Sequence, residues 1–448
     1  MDVNNKGKQR DSFTGKWGFI LACIGSAVGM GNIWRFPIMV SIWGGMDFLI
    51  PYFLCVLLIG STGVIEEFAL GRSTGAGPIG AFGTCTQVRN GNRKIGEAIG
   101  LIPIIGSLAL AIGYTVVMGW IFKYTFISFS GDLVSMGQNM DTIGGTFGQI
   151  AVDNFPWIII AVVVSFIIMA LGVSNGIEKA NKIMMPILFF LFIGLAIYVA
   201  KLPGASKGYK YIFTLDPSKL SNPMLWIFAF GQAFFSLSVA GHGSVIYGSY
   251  LPKNEDLPRS AFNVALFDTI AALLAAFVII PAMAVGGAPL EQGGPGLMFI
   301  WLVNVMNGMP AGRIVGIVFF VCVLFAGVSS IINLYEAPVA TLQDNLGLNR
   351  PISTGIILAI GCIIAIFIQS ITSDWMDFVS IYICPLGSFL AGSMFFWVAG
   401  KDFVINAVNQ GRKDGKPIGS YFYPLGKYVY VPLCIVALIA GAILGGIG

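Results

Sequence analysis

The residues with the most chemistry to offer sit where an otherwise apolar sequence is interrupted. Residues 25–37 read GSAVGMGNIWRFP, which places Asn32, Arg35 and three glycines inside an apolar run from about 17 to 43. An Arg at the centre of a membrane helix costs roughly 2.5–3.5 kcal/mol on insertion scales. Irregular backbone at that depth survives only where protein buries it or where it lines a cavity. Glycine makes such backbone accessible and lets a ligand approach the main chain. The segment therefore reads as a helix broken near the midplane, with free carbonyls on one half and free N–H groups on the other. Such a break can hold a cation beside an anionic group. Tight packing on a neighbouring helix is the alternative; it accounts for the glycines but not for Asn32 and Arg35.

A second interruption, GQAFFSLSVAGHG at 231–243, has the same character. Three further polar features lie in apolar runs: AGVSS at 326–330, Asp268, and Tyr114 beside Gly113. Serines in helices often bond their own preceding carbonyls, and a buried Tyr needs only one acceptor. Asp268 is different, because a carboxylate at that depth needs a cation. Together the five features point to a binding site.

The elements that must carry these residues follow from composition. The chain has 448 residues, is 56% hydrophobic and only 10% charged. Soluble domains average about 25% charged residues, so the expected fold is an all-α polytopic membrane protein. Hydropathy gives eleven spans, at about 17–40, 46–70, 98–127, 156–172, 183–200, 222–248, 261–284, 313–342, 353–371, 378–399 and 429–446. Lys6, Lys8, Arg10 and Lys16 precede the first span; Arg72, Arg89, Arg93 and Lys94 follow the second; Lys401, Arg412, Lys413, Lys416 and Lys427 follow the tenth. The 130–155 loop is acidic instead, with Asp132, Asp141 and Asp153. The positive-inside rule then puts the N-terminus in the cytoplasm and the C-terminus outside. The basic loop 201–219 is the exception. The broken spans 1 and 6 each open a set of five, so the second set enters the membrane from the opposite side. The expected architecture is one transporter domain over 1–448, made of inverted repeats at about 13–200 and 221–400 with an extra helix at about 429–446. Neither His242 nor the seven scattered cysteines show metal-ligand spacing. No nucleophile–base pair or phosphate loop suggests an enzyme, and nothing indicates nucleic acid as a partner.

With GNxWRFP at 31–37, EFALGR at 67–72, FFSLS at 234–238 and the 326–330 run, the chain resembles the neurotransmitter:sodium symporters of LeuT-type fold over about residues 10–446. The resemblance is nearest to bacterial carriers of hydrophobic and aromatic amino acids. It implies two Na⁺ sites. One takes Ala27, Asn32, Ser236, Asp268 and the substrate carboxylate; the other takes carbonyls of Gly25, Val28 and Ala326 with the hydroxyls of Ser329 and Ser330. Oxygen sets of this kind suit a hard cation. The substrate carboxylate would meet amides near Gly29 and Gly31 and the Tyr114 hydroxyl. Its ammonium would meet carbonyls of Ala27, Phe235, Ser236 and Ser238. Leu110, Tyr114, Phe235, Gly241 and Leu334 would line the side-chain pocket. Arg35 and Asp377 match an outer gate, and Arg10 and Asp344 an inner one, with Phe13 where the family usually has Trp. A turn between Gly176 and Pro186 is expected to precede helix 5 and to unwind during release.

Several departures modify that picture. Gly241 replaces a common aromatic, which suggests a roomier pocket. Asp268 replaces Asn or Ser, which suggests that no chloride is required. Asp47 stands where a small neutral residue is usual, without an evident reason. The expected function is Na⁺-coupled import of hydrophobic and aromatic L-amino acids by alternating access across a bacterial inner membrane. An amino-acid sensor on the same scaffold, or a symporter of another small solute, is the alternative.

Overall fold

The computed structural model describes residues 12–239, 243–287, 296–412 and 417–446, and among these it contains helices, turns and no strand. Eight unbroken helices are long and apolar enough to cross a bilayer: α2 (Gly45–Thr74), α3 (Arg93–Ser130), α5 (Val173–Ala200), α7 (Leu257–Gly286), α8 (Gly312–Leu346), α9 (Arg350–Phe367), α10 (Gln369–Val398) and α11 (Phe422–Leu444). α1 crosses as two halves, Lys16–Ala27 and Gly31–Trp43, bent by 53°. α4 (Phe155–Ala170) turns by 64° from a preceding surface helix, Met140–Val152. α6 is likewise split, into Pro223–Ser236 and Gly243–Ser249.

The break in α1 begins at Val28, whose φ of −71° and ψ of 96° take it out of the helix. The chain resumes through a widened turn at Gly31–Arg35 with Pro37 just beyond it, where its missing N–H is no loss. In α6, Ser238 takes a positive φ of 56°, a conformation non-glycine residues seldom adopt. Both breaks are wrapped by other helices. α1 packs on α5, α7 and α8, and the two halves of α6 lie along opposite ends of α2. That last contact explains the glycine of the EFALGR run. A Cβ on Gly71 would lie 1.9 Å from the Val245 carbonyl oxygen, so the two backbones touch there.

One sequence expectation is corrected, and one unexplained residue is accounted for. Helix 5 does not begin near 183 after an irregular turn. It begins at Val173 with a widened turn through Glu178, and Pro186 lies inside it. Asp47 now has a reason. At the left-handed corner Gly44–Gly45 between α1 and α2, its carboxylate accepts the Asp216 N–H at 2.6 Å and faces Lys219 Nζ at 3.4 Å. Asp47 thus pins the 201–219 loop, and Lys219, one of the lysines that break the charge pattern, is part of the tie.

Candidate functional site

The first cluster joins α1, α6 and α7. Asn32 Nδ2 donates to Asp268 Oδ1 at 2.7 Å and to the Asp268 carbonyl at 3.1 Å, and lies 3.2 Å from Ser236 Oγ. Ser236 donates to Asp268 Oδ2 at 2.7 Å. The opposite end of the Asn32 carboxamide accepts the Gly29 N–H at 3.0 Å, which ties the side chain to the break itself. Tyr52 and Gln232 complete the surroundings, the tyrosine hydroxyl 3.5 Å from Ser236 Oγ and Gln232 Nε2 donating to the Gly31 carbonyl at 3.1 Å. Asn32, Ser236 and Asp268 are all buried. A carboxylate surrounded by neutral donors in an apolar bundle fits a monovalent cation, whose charge it would balance.

The second cluster joins α1, α5 and α8. A Cβ on Gly25 would lie 2.0 Å from Asn181 Oδ1 and 3.0 Å from Ser329 Cβ; one on Gly29 would lie 2.4 Å from Ser330 Oγ. Only glycine allows these side-chain oxygens to come so close to the α1 backbone. Ser329 Oγ donates to the Ala326 carbonyl at 2.9 Å. Ser330 Oγ and Asn181 Oδ1 are buried with no hydrogen-bond partner. Orphaned buried oxygens are rare because they cost free energy, and here two of them adjoin Gly25 and Gly29, on either side of the break. The donor set fits a second hard cation.

Between the clusters lies a cavity of ≈ 30 Å³. Ala27, Gly29 and Gly31 of the α1 break line it, with Leu110 and Tyr114 of α3, Phe235 and Ser238 of α6, and Leu334 of α8. These are the residues expected from sequence, apart from Ser236, which serves the first cluster, and Gly241, which lies outside the described residues. Across Gly31, Tyr114 and Phe235 the cavity adjoins a vestibule of ≈ 350 Å³ that carries both Arg35 and Asp377. There the Arg35 guanidinium stacks 4.8 Å over the Phe235 ring instead of pairing with Asp377.

The opposite end is closed. Phe13 is buried against Phe19, Tyr247 and Tyr250, with ring centroids at 5.5, 5.6 and 6.3 Å. Glu178 accepts the Thr14 N–H at 2.8 Å and also binds the Thr14 hydroxyl. Asp344 lies at the end of α8, and Arg10 is outside the described residues. Sequence reasoning missed Ser26, Tyr52, Glu178, Asn181 and Asn333. An Asn inside an apolar run was the available signal for Asn333, whereas Asn181 stands among charged residues and gave none.

Paired oxygen clusters flanking a small cavity, between two broken helices of a membrane bundle, define a carrier for ions and a small solute. The chain belongs to the sodium:neurotransmitter symporter family, whose model matches residues 10–142 and 138–399. It is 34% identical over 429 residues to an uncharacterized sodium-dependent transporter of Methanocaldococcus jannaschii, covering 90% of this chain and 85% of that one. It is 31% identical to the uncharacterized sodium-dependent transporter YhdH of Bacillus subtilis, covering 94% and 95%. The fold superposes on the crystal structure of MhsT in complex with L-phenylalanine with a TM-score of 0.83, at 30% identity and over 97% of this chain and 100% of that one. The protein is therefore a sodium-dependent symporter of LeuT-type fold, and not an enzyme.

Proposed function

We propose that the protein imports hydrophobic and aromatic L-amino acids with two Na⁺ ions and without chloride. The observation that carries this reading is the Asn32–Ser236–Asp268 cluster, bonded to Gly29 at the head of a cavity lined by exposed main chain. An amino acid's carboxylate and ammonium suit such backbone, and its carboxylate would complete the shell of the first sodium. Each ligand would then raise the other's affinity by the same factor. Asp268 supplies a fixed negative charge where an anion would otherwise be needed. The two orphaned oxygens support the second sodium. Phenylalanine in the MhsT structure supports the cargo class.

The vestibule would face outward and the Phe13 end the cytoplasm of a bacterial inner membrane. The cavity itself has room for only a few water molecules. An aromatic side chain therefore requires it to merge with the vestibule above Phe235. A smaller neutral solute is the second reading, favoured by that volume alone. Counterflow of labelled amino acids in proteoliposomes, with Na⁺ present or absent and with chloride replaced by gluconate, tests both readings. Uptake of Phe, Tyr, Trp, Leu or Ile that needs Na⁺ and survives gluconate is the expected result. Gly241→Phe should depress the aromatic substrates first.

A further inference from the structure

Three polar atoms on residues lining the cavity have nothing to bond: Ser26 Oγ, Ser330 Oγ and Asn333 Nδ2. Ser330 is accounted for by the second cation cluster. Ser26 belongs to the α1 break, and its carbonyl already accepts from Ser238 Oγ at 2.8 Å. Asn333 belongs to neither cluster. It precedes Leu334 on α8, is 2% exposed, and lines the same cavity. Gly243, the first residue of the second half of α6, leaves space for it: a Cβ there would come within 1.9 Å of Asn333 Oδ1 and 2.6 Å of Nδ2. The fold thus keeps a carboxamide beside Leu334 at the wall of a pocket that Leu110 and Phe235 also line, together with the hydroxyl-bearing Tyr114, Ser26, Ser238 and Ser330. A leucine has nearly the same shape and would bury no orphaned amide. A pocket serving only apolar side chains gains nothing from the asparagine.

We propose that Asn333 reads the cargo's side chain, so that the carrier prefers neutral amino acids with a side-chain hydrogen-bonding group over their apolar counterparts. This rests on the amino-acid reading above and narrows it from hydrophobic to amphipathic cargo: tyrosine over phenylalanine, threonine over valine. A carboxamide offers a donor at one end and an acceptor at the other, so hydroxyl, phenol and indole N–H groups can all be met. A site built around a hydrogen bond discriminates against the analogue lacking it, because its own polar group is then left unmet. The structural competitor is Tyr247, a neighbour whose hydroxyl interacts with the Asn333 side chain. The competing role for Asn333 is to hold that ring, and the test separates the two roles.

Purified full-length carrier is assayed for Na⁺-dependent binding of labelled phenylalanine, displaced by tyrosine against phenylalanine and by threonine against valine. In the wild type the polar member of each pair should displace about three- to tenfold better. Asn333→Leu should abolish or reverse both ratios while phenylalanine binding stays Na⁺-dependent. Asn333→Ala gives the same reading if the leucine variant does not fold. Tyr247→Phe should leave the ratios unchanged. Ratios that persist in Asn333→Leu or Asn333→Ala overturn the proposal, as does a Tyr247→Phe variant that shifts them equally. A wild type that binds no labelled amino acid in Na⁺ overturns the amino-acid reading itself, which is a distinct outcome.

Discussion

The two ends of the molecule close over the same broken helices by different physics. At the vestibule end, Arg35 lies 4.8 Å over Phe235 and is not paired with Asp377, so one stacked ring separates the cavity from ≈ 350 Å³ of open space. A cation–π contact contributes about 0.5–2 kcal/mol according to its exposure, and Arg35 and Phe235 are both half-buried. At the Phe13 end, the Thr14 N–H is held by the Glu178 carboxylate. The Tyr250 hydroxyl donates to Glu336 at 2.7 Å, and Arg350 binds both Glu336 oxygens at 2.9 and 2.7 Å. Hydrogen bonds to charged groups contribute about 1.5–3 kcal/mol each. The closed end is thus latched through charge, whereas the open end is covered by a movable side chain. Such a difference would favour the vestibule-open state, and ligands that close the vestibule would have to overcome it.

The shared pivot between the ends is Asp268, and its loss should produce the largest effect. Asp268→Asn keeps the shape but removes the charge that would face the first of the two proposed cations. Unit charges about 4 Å apart interact by roughly 4 kcal/mol at an effective dielectric of 20. Part of that is offset by solvent and by the remaining oxygens. Apparent Na⁺ affinity should fall about a hundredfold in a binding titration, and added chloride should restore part of it. Unchanged Na⁺ dependence would remove Asp268 from the ion site.

Breaking the latch comes next. Glu178→Gln keeps a hydrogen-bonding side chain but removes its charge, weakening the tie to Thr14 by about 1–2 kcal/mol. The population open at the Phe13 end should rise about tenfold. Labelling of native Cys23, buried on the first half of α1, by a thiol reagent in a variant whose other six cysteines are replaced by serine reads this with Phe13 left in place. Labelling that does not quicken in Glu178→Gln would mean that the aromatic cluster alone seals this end.

How much of this contrast could be read in the chain depends on sequence distance. The breaks were legible because glycine and polar residues interrupt apolar runs locally, and α1 and α6 fall at corresponding places in two sets of five. Asp268 stood out for the same reason. The latch did not, because Glu178 and Thr14 are 164 residues apart and each alone reads as an ordinary loop residue. Asp47 was conspicuous but unexplained for a similar reason: its partner N–H lies 169 residues away. Asn333 was hidden differently, as one amide in IINLYEAP, where it looks like helix–helix glue until the cavity wall is seen. Pocket size is not legible from one position: volume depends on how Phe235, Tyr114 and Leu334 pack around the space, and Gly241 lies outside the described residues.

At the open end, Asp377→Asn should act on closure instead of on the open state. Arg35 and Asp377 line one vestibule without bonding, so neutralising the acid removes attraction realised only when the gate shuts. Uptake should fall about five- to tenfold while Na⁺-dependent binding from the vestibule side changes by less than about twofold. Equal losses in both would assign Asp377 to binding and leave Arg35 without a closing partner.

The smallest expected effect sharpens the contrast at the latched end, where release requires more than freeing Thr14. The start of α5 carries the latch and places Asn181 in the second oxygen cluster, so loosening this segment would connect the proposed second cation site to water. Two features prepare it. The turn Val173–Glu178 is wider than an α-helix, and Pro186, ten residues after Gly176, cannot donate back to the Lys182 carbonyl. Gly176 itself has no room for a side chain, since a Cβ would lie 1.8 Å from the Ile168 carbonyl oxygen. Pro186→Ala restores the missing hydrogen bond without adding bulk and should stiffen the segment. Much of proline's intrinsic penalty of about 3 kcal/mol is already absorbed by the native packing, so the effect on rate should be modest. Uptake should slow about two- to fivefold with equilibrium Na⁺ binding nearly unchanged, and amide exchange should slow across residues 179–185. If exchange slows but uptake does not, the segment is stiffened without being the release path. If neither changes, the start of α5 is a fixed wall, and the latched end must open by displacement of α1 alone.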